Sequence, residues 1–203
     1  KKISQLRTTH YELRTTRGFT FIETMVAITI LTVSITAPMS LATKSLSSAY
    51  YARDQIAAFH LAQEAIEAVR HVRDGNVLKN ALGTSANLLQ GIPSTSGEAF
   101  AINTLDGSMH KCDVSGCPPL QSNQNFYAYR NNCFWPTNNC GNGDGWTNTR
   151  YTRSVRAKFV TGTTDEIRVT ATVSWQTSGL KTRTFTITDN LYRWVNDGSG
   201  STL

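Results

Sequence analysis

Hydrophobic positions fall into three regimes along this chain. From position 19 to 43 the only ionisable side chain is Glu23, and sixteen of the twenty-five positions are apolar when Pro38 is counted. The others are mostly Thr and Ser, whose hydroxyls can bond back to helix carbonyls. As a helix, this stretch reaches about 37 Å at 1.5 Å per residue, enough to cross a hydrocarbon core about 30 Å thick. From 44 to 74 the pattern turns amphipathic. Ala58, Leu61, Ala62, Ala65, Ile66, Val69 and Val72 recur at helical spacing, with Arg53, Asp54, Gln63, Glu64, Glu67, Arg70 and Arg73 largely on the other faces. Glu67 with Arg70, and Arg70 with Asp74, offer surface pairs. Gly75-Asn76 supplies a stop signal. Residues 19–74 therefore read as one helix of about 84 Å.

After position 150 the period changes to two. Residues 151–160, 167–176 and 181–188 read as strands, with Ile167, Val169, Ala171, Val173 and Trp175 alternating with Arg168, Thr170, Thr172 and Ser174. The joins contain Gly162 and Gly179, as hairpin loops should. Such a meander keeps one face for a helix and one for water. Leu191, Tyr192, Trp194 and Val195 add a last apolar patch before a Gly/Ser tail. Positions 76–110 are weakly patterned, with a short helix expected between 76 and 90, broken at Gly83, and a loop from 91 to 97. The predicted fold class is α+β: a long N-terminal helix packed against a C-terminal antiparallel meander. Four segments follow: 1–18, 19–43, 44–75, and a head over 76–203 with a cysteine-containing loop at 111–150 and the meander at 151–195.

Charge sharpens this outline. The chain carries 20 Lys plus Arg against 14 Asp plus Glu. Residues 1–18 hold Lys1, Lys2, Arg7, Arg14 and Arg17 against Glu12, so they carry +4 of the net +6. The body is close to neutral and gives little reason to expect a nucleic-acid surface. The one reading that would need such a surface is DNA uptake, with Arg150, Arg153, Arg156, Lys158, Arg168, Lys181 and Arg183 lining one sheet face. Thr, Ser and Asn fill 59 of the 203 positions, a surface chemistry that suggests an exported protein. Bases before the apolar run predict a cytoplasmic N-terminus and a translocated C-terminal part. Tyr50 and Tyr51 fit an interfacial anchor or head packing equally.

All four cysteines, Cys112, Cys117, Cys133 and Cys140, lie within 29 residues. An even count in an exported chain points to disulfides. Three pairings are possible, and Cys112–Cys117 with Cys133–Cys140 is favoured because short loops close readily. Zinc spacing within each pair would be two to four residues; the four between Cys112 and Cys117 meet it, and the six between Cys133 and Cys140 exceed it. Asn138, Asn139, Asn142 and Asp144 among Gly141, Gly143 and Gly145 superficially suggest a calcium loop, but no Glu stands where a bidentate ligand belongs. The same glycines make no phosphate cradle, for want of a flanking strand and helix. His10 lies in the basic leader, His60 and His71 on the helix, and His110 beside Cys112. None joins a nucleophile motif, so no catalytic residue, metal site or cofactor is assigned, and the chain does not read as an enzyme.

Glu23 remains. An ionised carboxylate inside an apolar helix is costly unless paired, which neither a plain anchor nor a cleaved secretory signal explains, and no clean signal cleavage site follows Ala42. The run Arg17-Gly18-Phe19-Thr20-Phe21-Ile22-Glu23, followed by the apolar helix, resembles the cleavage and methylation motif of type IV pilins and type II secretion pseudopilins. Phe21 stands where many members have leucine, and Pro38 sits near a helix-bending proline common in the family. The resemblance implies that prepilin peptidase cuts between Gly18 and Phe19 and that Phe19 is N-methylated. It implies that Glu23 neutralises the Phe19 amine of a neighbouring subunit during assembly. Since the chain opens Lys-Lys without an initiator Met, the leader reads as incomplete. The implied partners are other pilin subunits, prepilin peptidase, the cytoplasmic membrane and the pilus assembly machinery. The implied locations are the cytoplasmic membrane before assembly, with the C-terminal part outside, and a pilus or periplasmic pseudopilus afterwards. The cysteine-containing loop favours a pilus component over a pseudopilin. A membrane-anchored binding domain that never polymerises is the competing class.

Overall fold

The computed structural model describes residues 18–87, 89–124, 126–130, 133–134, 140–162, 166–177 and 181–192. Two compact units divide the chain, Lys1–Ala49 and Tyr50–Leu203. Helix α1 spans Phe21–Ala81, and Pro38 lies inside it.

The expected stop at Gly75-Asn76 is not where α1 ends. Gly75 remains helical, and Asn76 is buried with its side-chain amide donating to the Gln90 carbonyl at 2.8 Å. The helix ends at Ala81, and just beyond it Gly83 takes φ +81°. Its N–H donates to Asn80 O at 2.9 Å and the Thr84 N–H to Lys79 O at 2.9 Å, the paired bonds of a left-handed helix cap. Asn80 then holds the following loop by bonding both the N–H and the C=O of Ala86. The separate helix expected over 76–90 is thus the last turn of α1 plus irregular chain.

The second unit packs the C-terminal part of α1 on a seven-stranded antiparallel sheet. Its strands are β1 (Ser96–Ile102), β2 (Met109–Lys111), β3 (Pro119–Ser122), β4 (Tyr127–Ala128), β5 (Thr147–Phe159), β6 (Glu166–Gln176) and β7 (Thr182–Tyr192). The thirteen-residue β5 is the spine. One of its edges pairs with β6 from Tyr151 to Phe159. The other pairs with β3 at its start and β1 at its end. β7 pairs only with β6, in unbroken register from Thr182 to Tyr192. The meander therefore forms as the two-residue period predicts. β1 to β4 escaped that reading because β2 and β4 have only three and two residues, β3 opens on Pro119, and the end of β1 is buried on both sides.

Ala58, Leu61, Ala62, Ala65, Ile66 and Val69 on α1 meet Val155, Ala157, Ile167, Val169, Ala171, Val173 and Trp175 in one core. The helical stripe read from spacing is this buried face, with Val72 half-buried at its end. Leu191 closes the core from β7, while Trp194 and Val195 lie outside the described residues. Burying a Leu, Ile or Val side chain contributes about 1.5–3 kcal/mol, and the three alanines on this stripe let helix and sheet approach closely.

Two ionic groups sit inside this apolar contact. Asp54, expected on a solvent face, is 3% exposed and accepts from Arg150 Nη2 at 2.8 Å and Tyr151 Oη at 3.4 Å. Arg153 is fully buried on the inward side of β5. Its guanidinium donates to Leu61 O (3.1 Å) and Glu64 Oε2 (2.8 Å) on α1, and to Ile102 O (2.8 Å) at the end of β1. The seven basic residues grouped by sequence therefore do not share a face. Arg153 is internal, Arg150 pairs with Asp54, and Arg183 lies over the Tyr51 ring at 5.3 Å. Arg156, Lys158 and Arg168 form an exposed group, and Lys181 is exposed just before β7. Of the expected helix-surface pairs, Glu67 does meet Arg70. Asp74 instead takes Arg73 at 2.6 Å, and Arg70 reaches Asp189 on β7 at 3.0 Å.

Removing one partner of a buried pair leaves the other charge uncompensated, at a cost of about 3–5 kcal/mol. The Glu64 side chain is 42% exposed, so Glu64→Gln should cost less than that and lower unfolding stability by about 2 kcal/mol in denaturant titration. Glu67→Gln on the exposed pair should stay within about 1 kcal/mol. Equal effects would contradict the role given to Arg153.

Candidate functional site

Gly18, Phe19 and Thr20 precede α1 in non-helical conformation. Thr20 caps the helix: its Oγ1 accepts from the Glu23 N–H at 3.3 Å, and its carbonyl accepts from the Thr24 N–H at 3.2 Å. Thr20-x-x-Glu23 has the spacing of a capping box, a signal present in the sequence but not used in reading it. Glu23 stands in the first turn, where its charge complements the positive end of the helix dipole. The structure thus puts Gly18, Phe19 and Glu23 within one turn of the helix start.

Every apolar side chain from Phe19 to Leu41 that is large enough to form a core is exposed; Phe19 is 80% and Ile22 72% accessible. The polar side chains here turn inward on their own backbone instead. Thr24 donates to Phe21 O, Thr29 to Val26 O, Ser34 to Ile30 O, Thr36 to Thr32 O and Thr43 to Ser40 O. Their hydroxyls are satisfied without water, so the segment presents an apolar cylinder. This is a helix long and apolar enough to cross a membrane. Among the described residues Glu23 makes no ion pair, which leaves one carboxylate on that cylinder without a cation.

The cysteine-containing segment is built separately, in the second unit. Cys112 pairs with Cys117 and Cys133 with Cys140, at Cα separations of 4.7 and 4.3 Å. Cys133 is buried and its N–H donates to Arg130 O. The glycine-rich run is a tight hairpin: Asp144 (φ 53°) and Gly145 (φ 78°) turn between Gly143 and Trp146, which exchange both backbone bonds. Asp144 is held by Arg130 at 3.0 Å. Asn138 and Asn139 lie outside the described residues. His110 stacks on Phe134 with ring centroids 4.2 Å apart and bonds Ser108 Oγ at 3.2 Å, a packed histidine.

Tyr129 anchors this segment to the core. It is fully buried, its hydroxyl donates to Pro118 O at 3.3 Å, and its N–H donates to Asn103 Oδ1. Burial pushes its phenol up to about 12, with the Arg153 charge pulling weakly the other way. A raised folded-state value leaves stability intact below the ordinary tyrosine value of about 10 and removes it as pH climbs towards about 12. The linked loss amounts to about 2–3 kcal/mol over that window. Tyr129→Phe should flatten the fall in stability between about pH 10 and 12 when unfolding is followed by circular dichroism. An unchanged alkaline slope would contradict this assignment.

Comparison with known proteins bears on the N-terminal site. No curated protein and no solved structure matches the chain. Residues 13–37 match the prokaryotic N-terminal methylation motif. The match spans Arg17, Gly18, Phe19 and Glu23 and continues into the apolar part of α1. This chain therefore carries the N-terminal methylation motif that is the hallmark of the type IV pilin family.

Proposed function

We propose that this protein is a structural subunit of a type IV pilus or a related fibre. It is made with a basic leader, cut by prepilin peptidase between Gly18 and Phe19, methylated on the new Phe19 nitrogen, and assembled through α1. One observation carries the reading most: the methylation motif opens a helix whose large apolar side chains are exposed from Phe21 to Leu41 and whose first-turn carboxylate, Glu23, forms no ion pair among the described residues.

Physical reasons tie processing to assembly. The cut releases a positive amine at Phe19, two residues before α1. That amine adds positive charge to the positive end of the helix dipole, which is unfavourable without an anion nearby. Glu23 is acidic and one turn away. In a bundle of parallel helices, a subunit shifted along the axis can bring its own Glu23 to a neighbour's Phe19. Each charge then leaves water or lipid only as a pair. A charge pair inside an apolar contact also fixes axial register, as a single polar residue does in a coiled coil. Before assembly the same cylinder of side chains holds the subunit in the cytoplasmic membrane, with the head outside. Removal of the basic leader leaves the apolar helix as the only anchor.

Intact and N-terminal peptide mass spectrometry of the protein from its native membrane tests the processing. The mature chain should begin at Phe19 and carry one extra methyl group on its nitrogen. Gly18→Leu should leave the leader attached. A wild-type chain retaining the residues before Phe19, in cells with active prepilin peptidase, would overturn the proposal and leave a single-pass anchored domain.

A further inference from the structure

The outward face of β5, β6 and β7 divides into two chemistries. Over most of its length it is a grid of hydroxyls. Thr170 faces Thr188, Thr172 faces Thr186 and Ser174 faces Thr184 across β6 and β7. The first two pairs lie within hydrogen-bond distance, at 3.4 and 3.2 Å. Thr is stiff about χ1, so the hydroxyls are displayed in fixed directions about 6.6 Å apart along each strand. At one end the grid gives way to three cations, Arg156, Lys158 and Arg168.

These cations are built into place. Lys158 and Arg168 stand directly opposite on β5 and β6, an arrangement that like charges disfavour. Arg156 Nη1 donates to Gly97 O at 3.0 Å, at the irregularity in β1 between Ser96 and Ala99. Gly97 takes φ +96°, and the Lys158 stem lies 3.5 Å from where a Cβ would stand. Between them is a cleft of about 390 Å³ floored by Phe159 and Val160, and no carboxylate lines it among the described residues. Two nearby acids are engaged elsewhere: Glu98 pairs with Lys111 at 2.8 Å and Asp189 with Arg70 at 3.0 Å. Glu166, two residues before Arg168, forms no ion pair among the described residues. On its other side Arg168 borders a second cleft, next to Tyr192.

We infer that this face binds an acidic polysaccharide, with a carboxylate of the glycan seated among Arg156, Lys158 and Arg168 and neutral sugar units lying along the threonine grid. Three cations that form no ion pair among the described residues call for an anion, and guanidinium groups suit carboxylate geometry. Hydroxyls that both donate and accept match the hydroxyls of sugars. Tyr192 adds a flat apolar surface at the charged end. A nucleic acid strand fits less well. It presents a charge about every 3.4 Å per strand, whereas the path beyond the three cations is uncharged for three residue pairs. It would also want several aromatic platforms, where this end offers one.

The test uses the full chain in a non-ionic detergent and depends on neither export nor fibre formation. Binding is measured to polygalacturonate, to neutral dextran and to duplex DNA. Polygalacturonate should bind and dextran should not. Lys158→Met with Arg168→Gln keeps both stems but removes two charges, and should weaken binding about tenfold or more. Thr172→Val with Thr186→Val should weaken it several-fold while leaving the charged cleft untouched. Absence of polygalacturonate binding, or undiminished binding by both folded variants, would overturn the inference. Tighter binding of DNA than of polygalacturonate would overturn it too, and give the cleft to a nucleic acid.

Discussion

Two stretches of one helix live under different constraints. Between Phe21 and Thr43 the large apolar side chains of α1 are exposed, and even the hydroxyls turn back on the backbone rather than reach for water. From Asp54 onward the same helix buries one face against a sheet. The first stretch needs an apolar surrounding from outside the chain, whether lipid or other helices. That need gives the N-terminal motif its logic. Glu23 would be an error in a simple anchor, and becomes intelligible where a cation arrives with each new neighbour.

The second stretch solves a different problem. Ala58, Ala62 and Ala65 make a smooth contact with the sheet, and a smooth contact does not define register along a helix. Two buried ions supply that definition. Arg153 reaches Leu61 O and Glu64 on α1 and Ile102 O on β1 from a single position on β5. Asp54 is met by Arg150 and Tyr151 from the same strand. An apolar replacement of equal volume at these sites can match or exceed their stability. What the ions add is that the bonds of Arg153 and Asp54 to the helix and strands form at one sliding position. β5 thereby sets the position of α1 while carrying the neighbouring strands on both edges.

Period and composition made much of this legible. The apolar run, the helical stripe from Ala58 to Val69 and the alternation of Ile167 to Trp175 each report which surface is buried. Glu23 stands out because an isolated carboxylate in an apolar run is a contradiction that needs a reason, whereas Gly18 and Phe19 are legible through the resemblance of the run around them to the prepilin motif. The misses share a cause: they depend on tertiary neighbours. Gly75 and Gly83 look alike in sequence, yet only Gly83 adopts positive φ and caps the helix. Arg153 reads as one more cation on a strand, and its burial follows from carbonyls at Leu61 and Ile102 that are distant in sequence. Asp54 was assigned to water for the same reason. Short strands such as Tyr127–Ala128 carry too few residues to show any period. Thr20 was legible in principle, through its spacing to Glu23.

The proposed assembly depends on Glu23 acting between subunits rather than within one. The most direct measurement is the yield of sheared surface fibre from cells making Glu23→Gln, with N-terminal processing read on the same cells. The account predicts a chain that is still cut and methylated at Phe19 but yields little or no fibre, because the buried amine of each subunit lacks its counter-charge. Fibre at the wild-type level from a correctly processed Glu23→Gln chain would contradict it.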